Sequence, residues 1–247
     1  MKVTRKQQLA TRKKIIEAAV DIIIAKGIKS ATMREIAKSA GIGDATIYNY
    51  FPTKEAIIYG YYEDSLDVAV AQVKNIDGFD SFSLQEQLQS FMETVLTLFL
   101  ADREFVQTTF NQIFFGLGQG HARLKPIRRQ FIQMVDEIFK AAESRGEVPE
   151  IVFSDMLFQL LWEYFLAMAA YWLRDDSDQF ANTTILLDLS LDLTCTVIQS
   201  GMFNKAFDMA SFLFKNHVLS RMDMFTEQIE TFRNMRRQFR GSDRETR

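Results

Sequence analysis

Apolar side chains recur at helical spacing along most of the chain. Over residues 11–26, Ile15, Ala18, Ala19, Ile22 and Ile23 form one stripe, and Gly27 follows, where a left-handed residue ends a helix cheaply. Residues 32–58 carry two shorter periods. Met33, Ile36, Ala37 and Ala40 make the first, closed by Gly41 and opened by Thr32 and Glu35 at the spacing of a reciprocal cap. The second, residues 44–50, turns Ile47 inward and leaves Thr46, Tyr48, Asn49 and Tyr50 on other faces. Pro52 bars continuation, and Thr53 with Glu55 starts a helix predicted to reach about residue 73. Small Ala37 and Gly41, with Ile47 beyond, let two helices cross through a tight turn, the geometry of a helix-turn-helix. The second helix of such a motif enters the DNA major groove.

The helical pattern continues beyond a predicted loop at residues 75–83. Ser83 and Glu86 repeat the capping spacing and open a helix over residues 84–100. An apolar stretch at 105–115 ends in Gly116, Gly118 and Gly120, and residues 123–145 are basic at first and amphipathic after Pro126. Pro149 and Glu150 are expected to open the most apolar helix, 151–173, in which Glu163 should face solvent, a partner or a ligand group. In the next helix, 179–199, Leu186, Leu189, Leu193 and Val197 make a seam suited to a partner helix. Residues 204–220 and 221–240 read as two further helices, rich in Phe, and the tail from Arg233 holds six Arg against Asp243 and Glu245. At the other end, residues 1–10 carry Lys2, Arg5 and Lys6 and read as a mobile arm, either lying along DNA or solvated.

Composition sharpens this reading. A chain of 247 residues, 47% hydrophobic, can bury one large core or a small and a medium domain. With 11 Gly, 3 Pro and no period-2 runs, the fold class is expected to be all-α. The net charge of −3 hides an asymmetry. Residues 1–60 hold 11 Lys/Arg against 5 Asp/Glu, the remainder 18 against 27, so a basic head sits on an acidic body, as suits a protein that touches phosphate with one end. The single cysteine, Cys195, reads as a core thiol in a reducing compartment. Glu17 and Asp21 interrupt the apolar run behind the basic N-terminus, which indicates an amphipathic helix instead of a secretory signal, and a cytoplasmic protein is expected. The 151–173 run nearly reaches membrane length, but Gln159 and Glu163 interrupt it and its flanks carry no basic cluster.

Enzyme chemistry finds little support. The GLGQG run at 116–120 follows no strand, so it reads as a helix connection and not a phosphate cradle. His121 is one of only 2 histidines, and no His, Cys and carboxylate set has ligand spacing, so neither metal nor cofactor is expected.

The run from Thr32 through Ile36-Ala37, Ala40-Gly41 and Thr46-Ile47-Tyr48 to Tyr50-Phe51 and Lys54-Glu55 resembles the DNA-binding segment of the tetracycline-repressor (TetR) family. The resemblance is close over about the first quarter of the chain; the rest matches the family in length and helicity. It implies a helix-turn-helix domain at 1–52, a linking helix at 53–74 whose pendulum-like shift alters the spacing of two heads, and a sensor and dimerisation body at 75–202. Residues 203–247, additional helices and a basic tail, exceed a typical member. Carried over by position, Arg34 would read a guanine, Thr46 and Asn49 would face base edges, and Thr32, Tyr48, Tyr50 and Lys54 would hold phosphates. The chain departs from the family at Gly43-Asp44-Ala45, where Asp44 suits a helix N-terminus but would repel a phosphate.

Two functions follow from the resemblance. In one, a homodimer represses from a palindromic operator on double-stranded DNA and is released by a small apolar or amphipathic ligand, with Phe110, Phe114, Trp162 and Tyr164 as candidate walls and the leucine seam as dimer interface. In the alternative, a DNA-bound interaction protein recruits a protein partner through the C-terminal helices, without a small-molecule inducer.

Overall fold

A computed structural model describes residues 4–116 and 120–213. Among them are ten α-helices and no strand. The first, α1 (Arg5–Ser30), begins earlier than its apolar stripe suggests. Thr4 Oγ1 accepts from the Gln7 N–H at 3.3 Å while the Gln7 side chain accepts from the Thr4 N–H at 2.9 Å, so the segment read as a mobile arm is helical from Arg5 onward. Gly27, with φ 77°, interrupts α1 where the stop was expected.

Helices α2 (Met33–Ser39) and α3 (Asp44–Tyr50) form the helix-turn-helix, and α4 (Lys54–Lys74) starts at Thr53, whose hydroxyl accepts the Ala56 N–H. A 3-10 turn, Phe79–Ser81, fills the predicted loop. Behind the Ser83–Glu86 cap comes α5 (Leu84–Ala101), then α6 (Arg103–Phe114), α7 (Gly120–Ser144), α8 (Ser154–Trp172), α9 (Ala181–Gln199) and α10 (Met202–Leu213). Pro149 does not open α8. That helix begins five residues later, behind Phe153, which offers no side-chain cap. Its C-terminal end is closed by Arg103, whose guanidinium donates to the Trp172, Leu173 and Asp175 carbonyls and lies over the Trp172 and Phe180 rings. The helices expected at 214–240 and the basic tail lie outside the described residues.

One buried apolar cluster runs from Ile15 and Ile23 in α1 through Ile36 and Ile47 to the body. Helix α1 packs on α2, α4 and α6, and α4 in turn on α5 and α7, so the head is fastened to the body by two helices. Cys195 is 3% exposed, and burial pushes its thiol up to about 12, as befits a core residue. The segment Asp178–Gln199 is, among the described residues, the one helix long and apolar enough to cross a membrane, with a mean hydropathy of 1.2. The run at 151–173 instead packs one face into the body, burying Leu157, Leu161, Phe165 and Trp172.

Candidate nucleic-acid interface and ligand cavity

Local capping fixes the head. The Thr32 hydroxyl accepts the Glu35 N–H at 3.3 Å, and the Glu35 carboxylate accepts the Thr32 N–H at 3.2 Å and the Lys26 ammonium at 2.6 Å. These bonds hold the Glu35 carboxyl below its usual range, the Lys26 contact contributing most. At the other end of α2, Gly41 adopts φ 69°. Its N–H reaches the Lys38 carbonyl, and the Ile42 N–H reaches the Ala37 carbonyl, the paired bonds of a Schellman stop. The chain therefore turns sharply into α3, which Ile47 pins to the core with no exposed surface.

With Ile47 inward, Thr46, Tyr48 and Asn49 are exposed and Tyr50 is half-buried. Arg34 is exposed and its Nε stands 3.3 Å from the Asp44 carboxylate. The acidic residue at the start of α3 thus faces a cation. The Lys54 ammonium is not held out toward a phosphate. It donates to the Ile28 and Ala31 carbonyls, closing the C-terminal end of α1. Lys54 was expected to hold a phosphate; with two of its three N–H donors on these carbonyls, one is left for such a contact. Arg5, read from sequence as part of an arm lying along DNA or solvated, and Gln8, not singled out, share a recess with Thr46, Asn49 and Tyr50. The Thr4-to-Gln7 spacing could have disclosed Gln8, because it brings the first turn of α1 onto this face.

Beneath α3, Arg12 lies 5.0 Å above the Phe51 ring and contacts Asp64 at 2.6 Å. A Cβ on Gly60 would fall 2.8 Å from the Phe51 ring edge, so α4 approaches the end of the motif more closely than any other residue would allow.

In the body, Phe114 and Trp162 border a cavity of about 350 Å³ between α6, α7 and α8, together with Leu124 and Leu166. Lys125, Arg128 and Glu163 stand at its walls. Phe110 is fully buried against Phe114 at 4.7 Å, behind the cavity wall. Tyr164 points elsewhere, its hydroxyl 2.7 Å from Ser190 on α9, and so is not part of this cavity. Phe114 also meets the edge of Tyr62, a residue of α4, at 4.9 Å. Tyr62 is bonded to Thr109 of α6 at 2.7 Å.

The leucine seam of α9 is open: Leu186, Leu189 and Leu193 are exposed and Val197 is half-buried. On α8, Leu160 and Tyr171 are exposed as well. Among the described residues no group of three or more His, Cys, Asp or Glu has the arrangement of a metal site.

Comparison with known proteins matches the two ends of this architecture separately. Residues 15–59 fit the family model described as bacterial regulatory proteins, tetR family, and residues 87–213 that of the tetracyclin repressor-like C-terminal domain. The fatty acid metabolism regulator protein of Bacillus subtilis is 23% identical over 202 residues, 81% of this chain and 100% of that protein. The solved structure of the transcriptional regulator FadR from Bacillus subtilis in complex with stearoyl-CoA has a TM-score of 0.60 at 22% identity, covering 76% of this chain and 98% of that one. A putative TetR-family transcriptional regulator from Syntrophomonas wolfei reaches 0.64 at 16% identity, over 77% and 97%. At these identities the two structures share the fold.

Proposed function

Because the chain belongs to the TetR family, and so is a DNA-binding transcriptional regulator and not an enzyme, we propose that it is a homodimeric repressor whose inducer is a long-chain fatty acyl ligand. In this reading it works in the cytoplasm on a near-palindromic operator. Two protomers joined through the exposed leucines of α9 and the apolar residues of α8 present their α3 helices to successive major grooves, about 34–36 Å apart. Arg34 grips guanine, Thr46 and Asn49 meet base edges, and Thr32, Tyr48, Tyr50, Arg5 and Gln8 hold the backbone.

The observation that carries the ligand assignment is the cavity beside Phe114 and Trp162. Its floor is apolar, and Lys125 and Arg128 supply positive charge where an acyl chain would end in an anionic head. The relatives named for fatty acid metabolism and solved with stearoyl-CoA support the same chemistry. A chain entering there displaces Phe114, and Phe114 bears on Tyr62 of α4, which leads to the head. A coupling of about 1–3 kcal/mol between the two sites is enough for a switch.

The test begins with sheared genomic DNA retained by the purified protein at near-physiological salt. Retained palindromes beside promoters should be released by stearoyl-CoA and not by coenzyme A alone. Sites scattered along the chromosome and indifferent to stearoyl-CoA would favour the alternative of a DNA-bound recruiter. One observation points that way: α10 leaves Met202, Met209 and Phe212 exposed.

A further inference from the structure

Asp44 is the one acidic side chain of α3, and it stands at the first position of that helix. The N-terminal residues of a recognition helix are those that meet base edges. A carboxylate placed there weakens binding to any duplex, because it approaches a dense row of phosphates. The helix dipole favours an acid at this position, but only modestly at an exposed site. The other acid of the motif, Glu35, is committed to Thr32 and Lys26. Asp44 instead reaches across the turn to α2, where its Oδ2 lies 3.3 Å from Arg34 Nε.

The two side chains are 86% and 59% exposed, so their ion pair adds little to stability in water. Its geometry matters more. Nε is the inner nitrogen of the guanidinium, and a carboxylate held against it leaves Nη1 and Nη2 for guanine O6 and N7. The carboxylate keeps lone pairs of its own, which need a donor on the DNA. In the major groove the donors are the amino groups, cytosine N4 and adenine N6, and adenine sets its N7 acceptor beside the amino group. Guanine and thymine offer acceptors, which repel a carboxylate. Cytosine is therefore the base that suits Asp44.

We propose that Asp44 is a specificity-determining residue, which orients the Arg34 guanidinium for guanine and itself accepts from the N4 amino group of a cytosine on the neighbouring base pair. Asp44 acts partly through Arg34, so this role rests on the base-reading assignment of Arg34 in the proposed function. The two side chains then read adjacent positions as a unit. Wrong bases at the second position are rejected by acceptor facing acceptor, and random DNA by the charge itself.

Selection from a pool of random duplexes by the full chain, followed by competition between a selected duplex and its single-pair variants at near-physiological salt, tests this. The parent should require a guanine with a cytosine on the adjoining pair, and guanine or thymine in place of that cytosine should weaken binding about tenfold. Asp44→Ala should reduce this discrimination to about twofold or less, relax the guanine preference and tighten binding to random duplex. Asp44→Asn, whose amide suits adenine N6 and N7, should move the preference at the second position from cytosine to adenine. Both variants alter an exposed side chain, and thermal unfolding reads their stability. A carboxylate that served only the N-terminus of α3 would change stability and leave every base preference as in the parent, and that result overturns the proposal. A uniform gain on all duplexes in Asp44→Ala overturns it too. Arg34→Ala tells the two failures apart. Equal losses on selected and random duplexes remove Arg34 from base reading and Asp44 with it, whereas a loss confined to the selected duplex, beside unaltered preferences in Asp44→Ala, overturns the role of Asp44 alone.

Discussion

The bond between Tyr62 and Thr109 ties the linking helix to the body, and a double-mutant cycle should expose its asymmetry. The two hydroxyls are 2.7 Å apart in residues 1% and 0% exposed respectively, and the Thr109 hydroxyl also donates to the Phe105 carbonyl at 2.9 Å. Since the Thr109 proton is committed, Tyr62 is the donor of the shared bond. Tyr62→Phe removes that donor and leaves Thr109 its other bond, for about 1 kcal/mol. Thr109→Val keeps the shape but strands a buried phenol O–H, for about 2 kcal/mol. The double variant replaces both partners by apolar groups of similar shape and should lie within about 1 kcal/mol of the parent, a coupling of about 2 kcal/mol. Urea unfolding at one fixed protein concentration reads this, the slope remaining constant across the series. Additive losses of about 3 kcal/mol in the double variant would refute the reasoning. The cycle also separates stability from signalling. Tyr62→Phe keeps the ring against Phe114 and should retain the response to stearoyl-CoA, whereas Tyr62→Ala should blunt it.

Three further outcomes follow from the head and from one buried carboxylate. Arg34→Ala should cost about 1–3 kcal/mol on the operator and little on random DNA, measured by competition; equal losses on both would remove Arg34 from base reading. Lys54→Ala should lower stability by about 1–3 kcal/mol through the freed Ile28 and Ala31 carbonyls, with no change in the salt dependence of DNA binding. A shallower salt slope would return Lys54 to the phosphates. Asp175, buried, accepts from the backbone N–H and the hydroxyl of both Ser177 and Thr183 at 2.6–3.0 Å, which holds its carboxyl well below the ordinary 3.8. A depressed carboxyl stabilises the fold above its unfolded pKa and ceases to do so as pH falls through the folded one. The deficit of Asp175→Asn against the parent should therefore be full at pH 7 and shrink once the pH drops below about 4, as read by thermal unfolding; a constant deficit contradicts this assignment.

Sequence reading succeeded where the determinants are local. The Thr32–Glu35 and Ser83–Glu86 caps and the Gly41 turn lie within a few residues of what they bond, so spacing alone discloses them. The Thr4–Gln7 cap is equally local and was masked only by the polar, basic composition around it. Helix α8 shows the reverse case. Phe153 makes no side-chain cap, so the start of the helix carries no local mark and Pro149 drew attention instead. For the cavity, periodicity identifies which aromatics are inside but not which of them border a void. Phe110 and Phe114 are neighbours on one helix, yet Phe114 and not Phe110 lines the cavity, while the Tyr164 hydroxyl is directed to Ser190.

Lys54 and Arg103 have one physical feature in common, which bears on how the head is held. Lys54 reaches carbonyls 23 and 26 positions back in the chain, and Arg103 reaches those at the end of α8 about 70 positions ahead. Each is a cation closing the C-terminal end of a distant helix, where unpaired carbonyls and the helix dipole favour positive charge. A basic residue next to a recognition motif looks like a phosphate ligand because its sequence neighbours bind DNA, but its partners are chosen by tertiary proximity. The consequence is mechanical. With Lys54 binding the end of α1 to the start of α4, Arg12 clamping Phe51 and Asp64, and Gly60 permitting the close approach, the three-helix head is locked to α4 at its first turns. On the proposed function, a displacement of α4 at Tyr62, two residues beyond Gly60, would be passed to α3 as a rotation of the whole head and not absorbed by a loose joint.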